Sequence, residues 1–482
     1  MDPSTASSTA VAASGVAVLG AAALSSTSTA TPSAKHKTSK RWKKQLSPTT
    51  YRVETGKEEA AMAHIASRSY NAGKIFFGVT VKGDVEKFDF ERAAKLVQVK
   101  HPILRCRFRR AGWTGSWELV EDMNLSIPII RVNETMSWEE LYEKYAQPVE
   151  YKPFESPQLI IYVLTQPSPA TTSFQVFVEI QHWCSDGTSV SFLLHDILRW
   201  ASGEADSTEE GTWPLPMNLA LRDPSKSPPW STWRTTKSLG YLLSVLSTPY
   251  TRFPLLKSPS ASKHRTMGFC ESFSKEDSAR LLQQCRNHGT TLTCASGIAF
   301  TYGIAKALKR KQGRFMIFVA TNTRDLCQAT DHDLSIHVTM TPMLTSYTDW
   351  TDSDKSAWPQ SKDLKARLNQ VTSSHLQGFS LLTPLGMHLK ESQQPTPTFL
   401  LTSWGARSPL QDSYNSTSIE EAHLRTATHH FLYPALSVFS VCGRVYLSWT
   451  GGEDKHDKVL FQEAFKEGVR VLKNMLTPTT SE

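Results

Sequence analysis

The chain lacks the features that mark several large protein classes. It has seven cysteines in 482 residues: Cys106, Cys184, Cys270, Cys285, Cys294, Cys327 and Cys442. None forms a Cys-x-x-Cys pair or a zinc-type spacing. This odd, scattered set fits reduced thiols in a cytoplasmic compartment and speaks against a disulfide scaffold or a structural zinc module. Three glycosylation sequons, at Asn124, Asn133 and Asn415, point the other way, but so short a pattern often arises by chance. No apolar run is long enough to span a bilayer. Also missing are a Gly-x-Ser-x-Gly elbow, a Walker loop, a dinucleotide-binding glycine triplet and a His-Glu-x-x-His helix. Serine-hydrolase, nucleotide-binding and zinc-protease readings therefore have no local support. Net positive charge is slight outside the N-terminus. Lys35, Lys37, Lys40, Arg41, Lys43 and Lys44, against Asp2 alone, supply most of the net charge of +8. The remaining body is too mildly basic for a nucleic-acid surface.

The chain has ample material for packed cores: 39% hydrophobic residues and 13 Trp. Its length predicts two domains or subdomains. Residues 1–44 read as a disordered Ser/Thr/Ala-rich tail with a basic end. Ala10–Leu24 has the length of a signal segment, but no positive residue precedes it, so targeting is the lesser reading. Residues 45–203 and 264–478 read as two folded halves of mixed strands and helices. Between them, 204–263 reads as a Pro/Ser/Trp-rich crossover linker with an apolar patch at Leu239–Leu246.

The most informative segment is His182-Trp183-Cys184-Ser185-Asp186-Gly187. Phe174, Val176, Val178 and Ile180 alternate before it, which predicts a strand with His182 on the inward parity. Val190, Leu193, Leu194, Ile197 and Leu198 follow at helical spacing. An imidazole is thus expected at the end of a buried strand, before a tight turn into a helix. That is a suitable place for a general base. The competing reading is a core histidine hydrogen-bonded to Asp186.

This His-x-x-x-Asp-Gly run resembles the active-site motif of the chloramphenicol-acetyltransferase-like superfamily, which includes condensation domains, plant acyltransferases and fungal acyltransferases. Other segments agree in order: Phe88–Ala94 leading to His101-Pro102-Ile103-Leu104-Arg105, Gly289–Thr293 opening a long helix, Ala320–Arg324, and Ser403-Trp404-Gly405. The resemblance is closest to fungal O-acyltransferases of secondary metabolism, of the trichothecene 15-O-acetyltransferase type. It implies an α/β fold of two similar subdomains with the active site in a tunnel between them. It implies that His182 takes a proton from an acceptor, that Asp186, grouped with it as catalytic, pairs with Arg324, and that Gly187 leaves room at the turn. Trp183 and Cys184 become candidates for the pocket lining. Thr402 and Ser403 become candidates, by position only, for stabilising an oxyanion. The basic set Lys306, Lys309, Arg310, Lys311 and Arg314 could receive the 3′-phosphate of coenzyme A, or be a solvated helix end.

The expected activity is transfer of acetyl or another short acyl group from acyl-CoA to a hydroxyl of a hydrophobic natural product. The expected partners are acyl-CoA and this small-molecule alcohol, with no metal, no nucleic acid and no membrane span, in a monomer. Two alternatives stay open: a carrier-protein acyl donor, as in condensation domains, and a degenerate member that binds a ligand without catalysis.

Overall fold

The computed structural model describes residues 43–68, 73–111, 116–146, 155–165, 173–204, 247–256, 265–327, 329–348, 353–370, 396–405 and 408–476. It also describes Lys152, Trp213, Gly240, Tyr241, Ser244 and Val245. The tail expected at 1–44 lies outside these residues up to position 42, as does most of the linker.

The first half contributes strands β1 (Lys43–Ser47), β2 (Thr50–Val53), β3 (Ile75–Lys82), β4 (Cys106–Ala111), β5 (Ser116–Asp122), β6 (Ile129–Val132), β7 (Leu159–Thr165) and β8 (Ser173–Ile180). Its helices are α1 (Lys57–Arg68), α2 (Phe90–Lys100), α3 (Trp138–Leu141) and α4 (Gly187–Ala201). The second half supplies β9 (Thr266–Ser272), β10 (Gln312–Asn322), β11 (Val338–Thr348), β12 (Phe399–Gly405), β13 (Ser413–Tyr414), β14 (Thr417–Thr426), β15 (Ala435–Val441) and β16 (Arg444–Gly452). Its helices are α5 (Lys275–Asn287), α6 (Leu292–Ala307), α7 (Arg324–Cys327), α8 (Ser353–Gln370) and α9 (Lys458–Asn474). Lys43 and Lys44, assigned above to the tail, begin β1. The mixed α/β architecture agrees with the fold class expected from the sequence. No helix among the described residues is long and apolar enough to cross a membrane.

The strands form three sheets, ordered β1-β2-β5-β4, β13-β14-β3-β8-β7-β6 and β11-β10-β12-β15-β16-β9. In the first half, Ile75, Phe77, Val79 and Val81 of β3 and Phe174, Val176, Val178 and Ile180 of β8 join one core with α2 and α4. Asp89 caps α2 by accepting from the Arg92 N–H at 2.8 Å. The other face of β8 is also buried: Phe177 packs with Phe76, Tyr162, Trp138 and Tyr142. Glu179 survives there because its carboxylate accepts from Lys74 Nζ at 2.9 Å and from the Tyr162 hydroxyl at 2.8 Å.

In the second half, Ile317, Val319, Leu401, Leu436, Val438, Leu447 and Trp449 pack under α6 and α9. The two helices approach closely at Gly303, where a Cβ would meet the Gly468 nitrogen at 2.5 Å and the Ala464 carbonyl at 2.6 Å. Only glycine fits that contact. The opposite face of this sheet turns toward the first half, where Ser448 donates to the Leu424 carbonyl at 2.8 Å.

The halves share one sheet. β14, from the second half, pairs antiparallel with β3 from Ser418↔Lys82 to Thr426↔Ile75. The pairing continues through Ala427, whose N–H reaches the Lys74 carbonyl at 2.9 Å and whose carbonyl accepts from Gly73 at 2.7 Å.

Candidate active site

β8 ends at Ile180, and the chain turns through Gln181–Cys184 beside Gly73, the residue preceding β3's buried run. A Cβ on Gly73 would lie 3.8 Å from His182 Cβ, so the imidazole stem sits against the first turn of the neighbouring strand. His182 Nδ1 is 2.6 Å from the Ser185 carbonyl oxygen. A carbonyl only accepts, so Nδ1 carries the proton and Nε2 keeps its lone pair. This is the tautomer a general base needs.

Asp186 caps α4: Oδ1 accepts from the Ser189 N–H at 3.0 Å. The same carboxylate takes both ends of the Arg324 guanidinium, Nη1 to Oδ2 at 2.7 Å and Nη2 to Oδ1 at 2.9 Å. The His337 N–H adds a bond to Oδ2 at 3.1 Å. Both Asp186 and Arg324 are 1% exposed. Burial alone would raise the Asp186 pKa. The Arg324 charge and its hydrogen bonds, with the Ser189 and His337 N–H groups, outweigh burial and hold it at about 2. Arg324 spends its remaining donors on the carbonyls of Thr330, Asp333 and Ser335. Asp186 is therefore a strut binding the motif loop to the second half, with its lone pairs committed away from His182.

Gly187 meets the second half at another point. A Cβ there would fall 2.0 Å from Nε1 of Trp404 and 2.3 Å from Cε2. Trp404 also packs on Phe77 and Phe439, with ring centroids 5.0 and 5.1 Å apart. The motif loop is thus held from two sides by residues of the second half, Arg324 and Trp404.

The other candidates are placed as follows. Trp183 is buried, its Nε1 donating to Gln158 Oε1 at 2.9 Å and its ring against Phe108. Cys184 is fully buried, its Sγ 3.1 Å from the Gln181 carbonyl, and burial pushes its thiol well above the usual range. A thiol so held is a poor nucleophile. On β12, Ser403 accepts from the Thr293 hydroxyl at 2.9 Å, while Thr402 lies on the same parity as Trp404. Of the basic cluster, Lys306 lies in α6, Lys309, Arg310 and Lys311 between α6 and β10, and Arg314 early in β10, eight residues before that strand ends at Asn322. Among the described residues, no group of His, Cys, Asp and Glu is arranged to hold a metal.

The two faces of the second sheet differ in exposure. Inward residues of its central strands are closed off, with Ile317 and Leu401 at 0% exposure. On its other face Phe318, Ala320, Thr402 and Trp404 stay half-buried; Phe318 packs with Met316 and the linker residues Tyr241, Val245 and Tyr250, while Trp404 lies on Gly187 of the motif loop.

Sequence reasoning missed the Ser185 carbonyl, the His337 N–H and the contact of Trp404 with Gly187. The first two are backbone groups, which any residue could supply and no side-chain pattern marks.

No family model and no curated protein sequence matches the chain. Solved structures do. The chain is similar to the TRI3 trichothecene 15-O-acetyltransferase from Fusarium sporotrichioides, with 13% identity, 91% of this chain and 98% of that one covered, and a TM-score of 0.72. It is similar to polyketide synthase associated protein 5 from Mycobacterium tuberculosis, with 13% identity, coverage of 87% and 97%, and a TM-score of 0.63. It is also similar to the condensation domain of the monacolin K polyketide synthase MokA, with 14% identity, coverage of 86% and 95%, and a TM-score of 0.63. At these identities the likeness is one of fold. The chain has the mixed α/β fold of these solved structures.

Proposed function

We propose that the protein transfers an acyl group, acetyl or another short chain, from acyl-CoA to a hydroxyl of a hydrophobic small molecule. The observation that carries this reading is the 2.6 Å contact between His182 Nδ1 and the Ser185 carbonyl, which fixes the proton of the neutral imidazole on Nδ1 and leaves Nε2 as the base. The acceptor oxygen attacks the thioester carbonyl carbon while Nε2 takes the hydroxyl proton. The tetrahedral intermediate expels the thiolate, and the imidazolium returns its proton to that sulfur. The products are an ester and free coenzyme A, with no acyl-enzyme on the way. Asp186, Arg324 and Trp404 hold the loop that carries His182. Ser403 accepts from Thr293 and so has its own proton to offer an oxyanion, and Thr402 lies half-buried beside it on β12. These two hydroxyls are the candidate stabilisers.

A second reading keeps the chemistry and changes the donor. In it a carrier-protein thioester takes the place of acyl-CoA, and what supports it is the fold likeness to the MokA condensation domain. Mass spectrometry of products separates the two. Purified protein is incubated with hydroxylated terpenoids or polyketides and either acetyl-CoA or an acetylated carrier protein. An acetylated alcohol formed from acetyl-CoA supports the first reading. Product formed only from the carrier protein replaces it with the second, and no product from either donor refutes both.

A further inference from the structure

Arg324 and Trp404 of the second half hold one end of the motif loop, at Asp186 and Gly187. His182 lies at the other end, and a different residue braces it. Gln158 stands one step beyond the Leu159↔Ile180 pair at the end of the β7–β8 ladder, opposite Gln181. Its main-chain carbonyl accepts from the Gln181 N–H at 3.0 Å. Its side chain reaches past the histidine, where Oε1 accepts from Trp183 Nε1 at 2.9 Å. One residue thus holds both chain neighbours of His182, Gln181 by backbone and Trp183 by side chain.

The orientation of the Gln158 amide follows from its partners. An indole N–H only donates, so Oε1 faces Trp183. Nε2 then donates to the Ser156 carbonyl, which only accepts, at 3.2 Å. Gln158 and Trp183 are each 1% exposed. The Trp183 ring also meets Phe108 edge to face, with centroids 4.5 Å apart at 75°. The indole is therefore fixed by a ring on one side and by the Gln158 amide on the other.

The backbone path from Gln158 to the imidazole is short. The Gln181 carbonyl accepts from the Cys184 N–H at 3.2 Å, the Cys184 thiol at 3.1 Å and the Ser185 hydroxyl at 3.2 Å. These bonds close the turn that brings the Ser185 carbonyl to 2.6 Å from His182 Nδ1. A methionine of similar length would fill the place of Gln158 but offer Trp183 no comparable acceptor.

We propose that Gln158 is a positioning residue for His182: it holds Gln181 and Trp183 so that the turn after them keeps the imidazole on the Ser185 carbonyl, with the proton on Nδ1 and the lone pair on Nε2. This rests on the acyl-transfer reading and deepens it. Gln158 bonds to the loop and acts through the histidine. Without its amide, Trp183 loses an acceptor and the turn relaxes. Nδ1–H then leaves the carbonyl, and the imidazole samples the other tautomer, whose Nε2 carries a proton and accepts none.

The test uses Gln158→Met, which keeps the backbone bond and removes the amide, and Trp183→Phe, which removes the donor. Val469→Ala, in the other core, is the stability control. The tautomer of His182 is read at neutral pH from long-range proton–nitrogen spectra of protein labelled with 15N-histidine, assigned with His182→Ala. Activity is acetyl transfer from acetyl-CoA to a hydroxylated terpenoid that the wild type acetylates. Wild type should show the Nδ1–H tautomer. Gln158→Met and Trp183→Phe should each mix the tautomers and lower kcat roughly 10- to 100-fold, the cost of misplacing a reacting group by about 1 Å, with the KM for acetyl-CoA within about threefold. The double variant should be no slower than the slower single one, because both substitutions break the same bond. Val469→Ala should lower Tm and leave tautomer and kcat as they are. If Gln158→Met does not fold, Trp183→Phe decides alone. An unchanged tautomer in the variant, additive losses in the double variant, a KM that rises as much as kcat falls, or a tautomer shift in Val469→Ala overturns the proposal and leaves the transfer reading intact. The expected tautomer shift with no transfer by wild type refutes the transfer reading and keeps the positioning of His182 by Gln158. A wild-type His182 with its proton on Nε2 overturns both.

Discussion

Replacing Arg324 with methionine should destabilise the protein and reverse the pH dependence that Asp186 contributes. In the native protein the Asp186 carboxyl is held at about 2, below its ordinary 3.8, by Arg324 and by N–H donors. A depressed acid stabilises the fold above its unfolded value. That contribution, about 2 kcal/mol, is lost as pH falls from about 4 toward 2. The Arg324→Met substitution would remove the counter-charge and two of the best hydrogen bonds while leaving the carboxyl buried at 1% exposure. Burial, the largest influence on this group, would then push its pKa above 3.8. A raised acid has the opposite sign: its favourable form is the neutral one, and stability falls as pH rises through the new value. Near neutral pH the variant should lose about 3–5 kcal/mol, the usual cost of orphaning one member of a buried pair. At roughly 2 °C per kcal/mol for a chain of this size, its Tm should drop by on the order of 5–10 °C. Differential scanning fluorimetry at about pH 5.5 and 8 reads both effects. The variant should melt higher at the acid end relative to wild type, and Asp186→Asn in the same chain should recover part of the loss. A variant that melts within about 1 °C of wild type, or keeps its pH trend, refutes the account of this pair as the clamp between the halves.

Gly187→Ala should lower activity and cost about 1–3 kcal/mol of stability, because its Cβ would fall 2.0 Å from the Trp404 ring; Trp404→Leu in the same chain should restore part of the Tm, and failure to do so removes Trp404 as the cause. Cys184→Ser should keep most activity, since the thiol is buried and protonated and a serine hydroxyl can keep its bond to the Gln181 carbonyl; a loss comparable to that of His182→Ala would make the thiol the nucleophile.

Much of the fold was legible because local patterns and burial agree. The alternation Phe174–Ile180 is strand β8, and the helical spacing after Gly187 is α4, capped by Asp186. α5 starts at the Ser274 cap, and the β15–β16 hairpin turns at Cys442-Gly443, where both φ angles are positive. The apolar start of Ile103–Phe108 does not make it one strand: Pro102 opens a 3-10 turn over Pro102–Arg105, with Arg105 buried against Glu121 at 2.7 Å, and the strand begins at Cys106. β14 was less legible: the doubled Glu420-Glu421, where the pairing register shifts, breaks the phase between Ile419 and the Ala422, Leu424 alternation, and its partner β3 lies more than 330 residues away. At the site, the residues named by one contiguous motif were legible. The Trp404 contact with Gly187 depends on how the halves meet, which a single sequence does not encode in any local spacing, and the Ser185 carbonyl is a backbone group that no side-chain pattern marks.

The most direct test of the central claim is free thiol released from acetyl-CoA in the presence of hydroxylated terpenoids and polyketides, for wild type and His182→Ala at matched fold stability. General-base catalysis by Nε2 predicts release by wild type and a loss of at least roughly 100-fold in the variant. Release that survives the loss of His182 would contradict the account, because another group would then be taking the acceptor's proton.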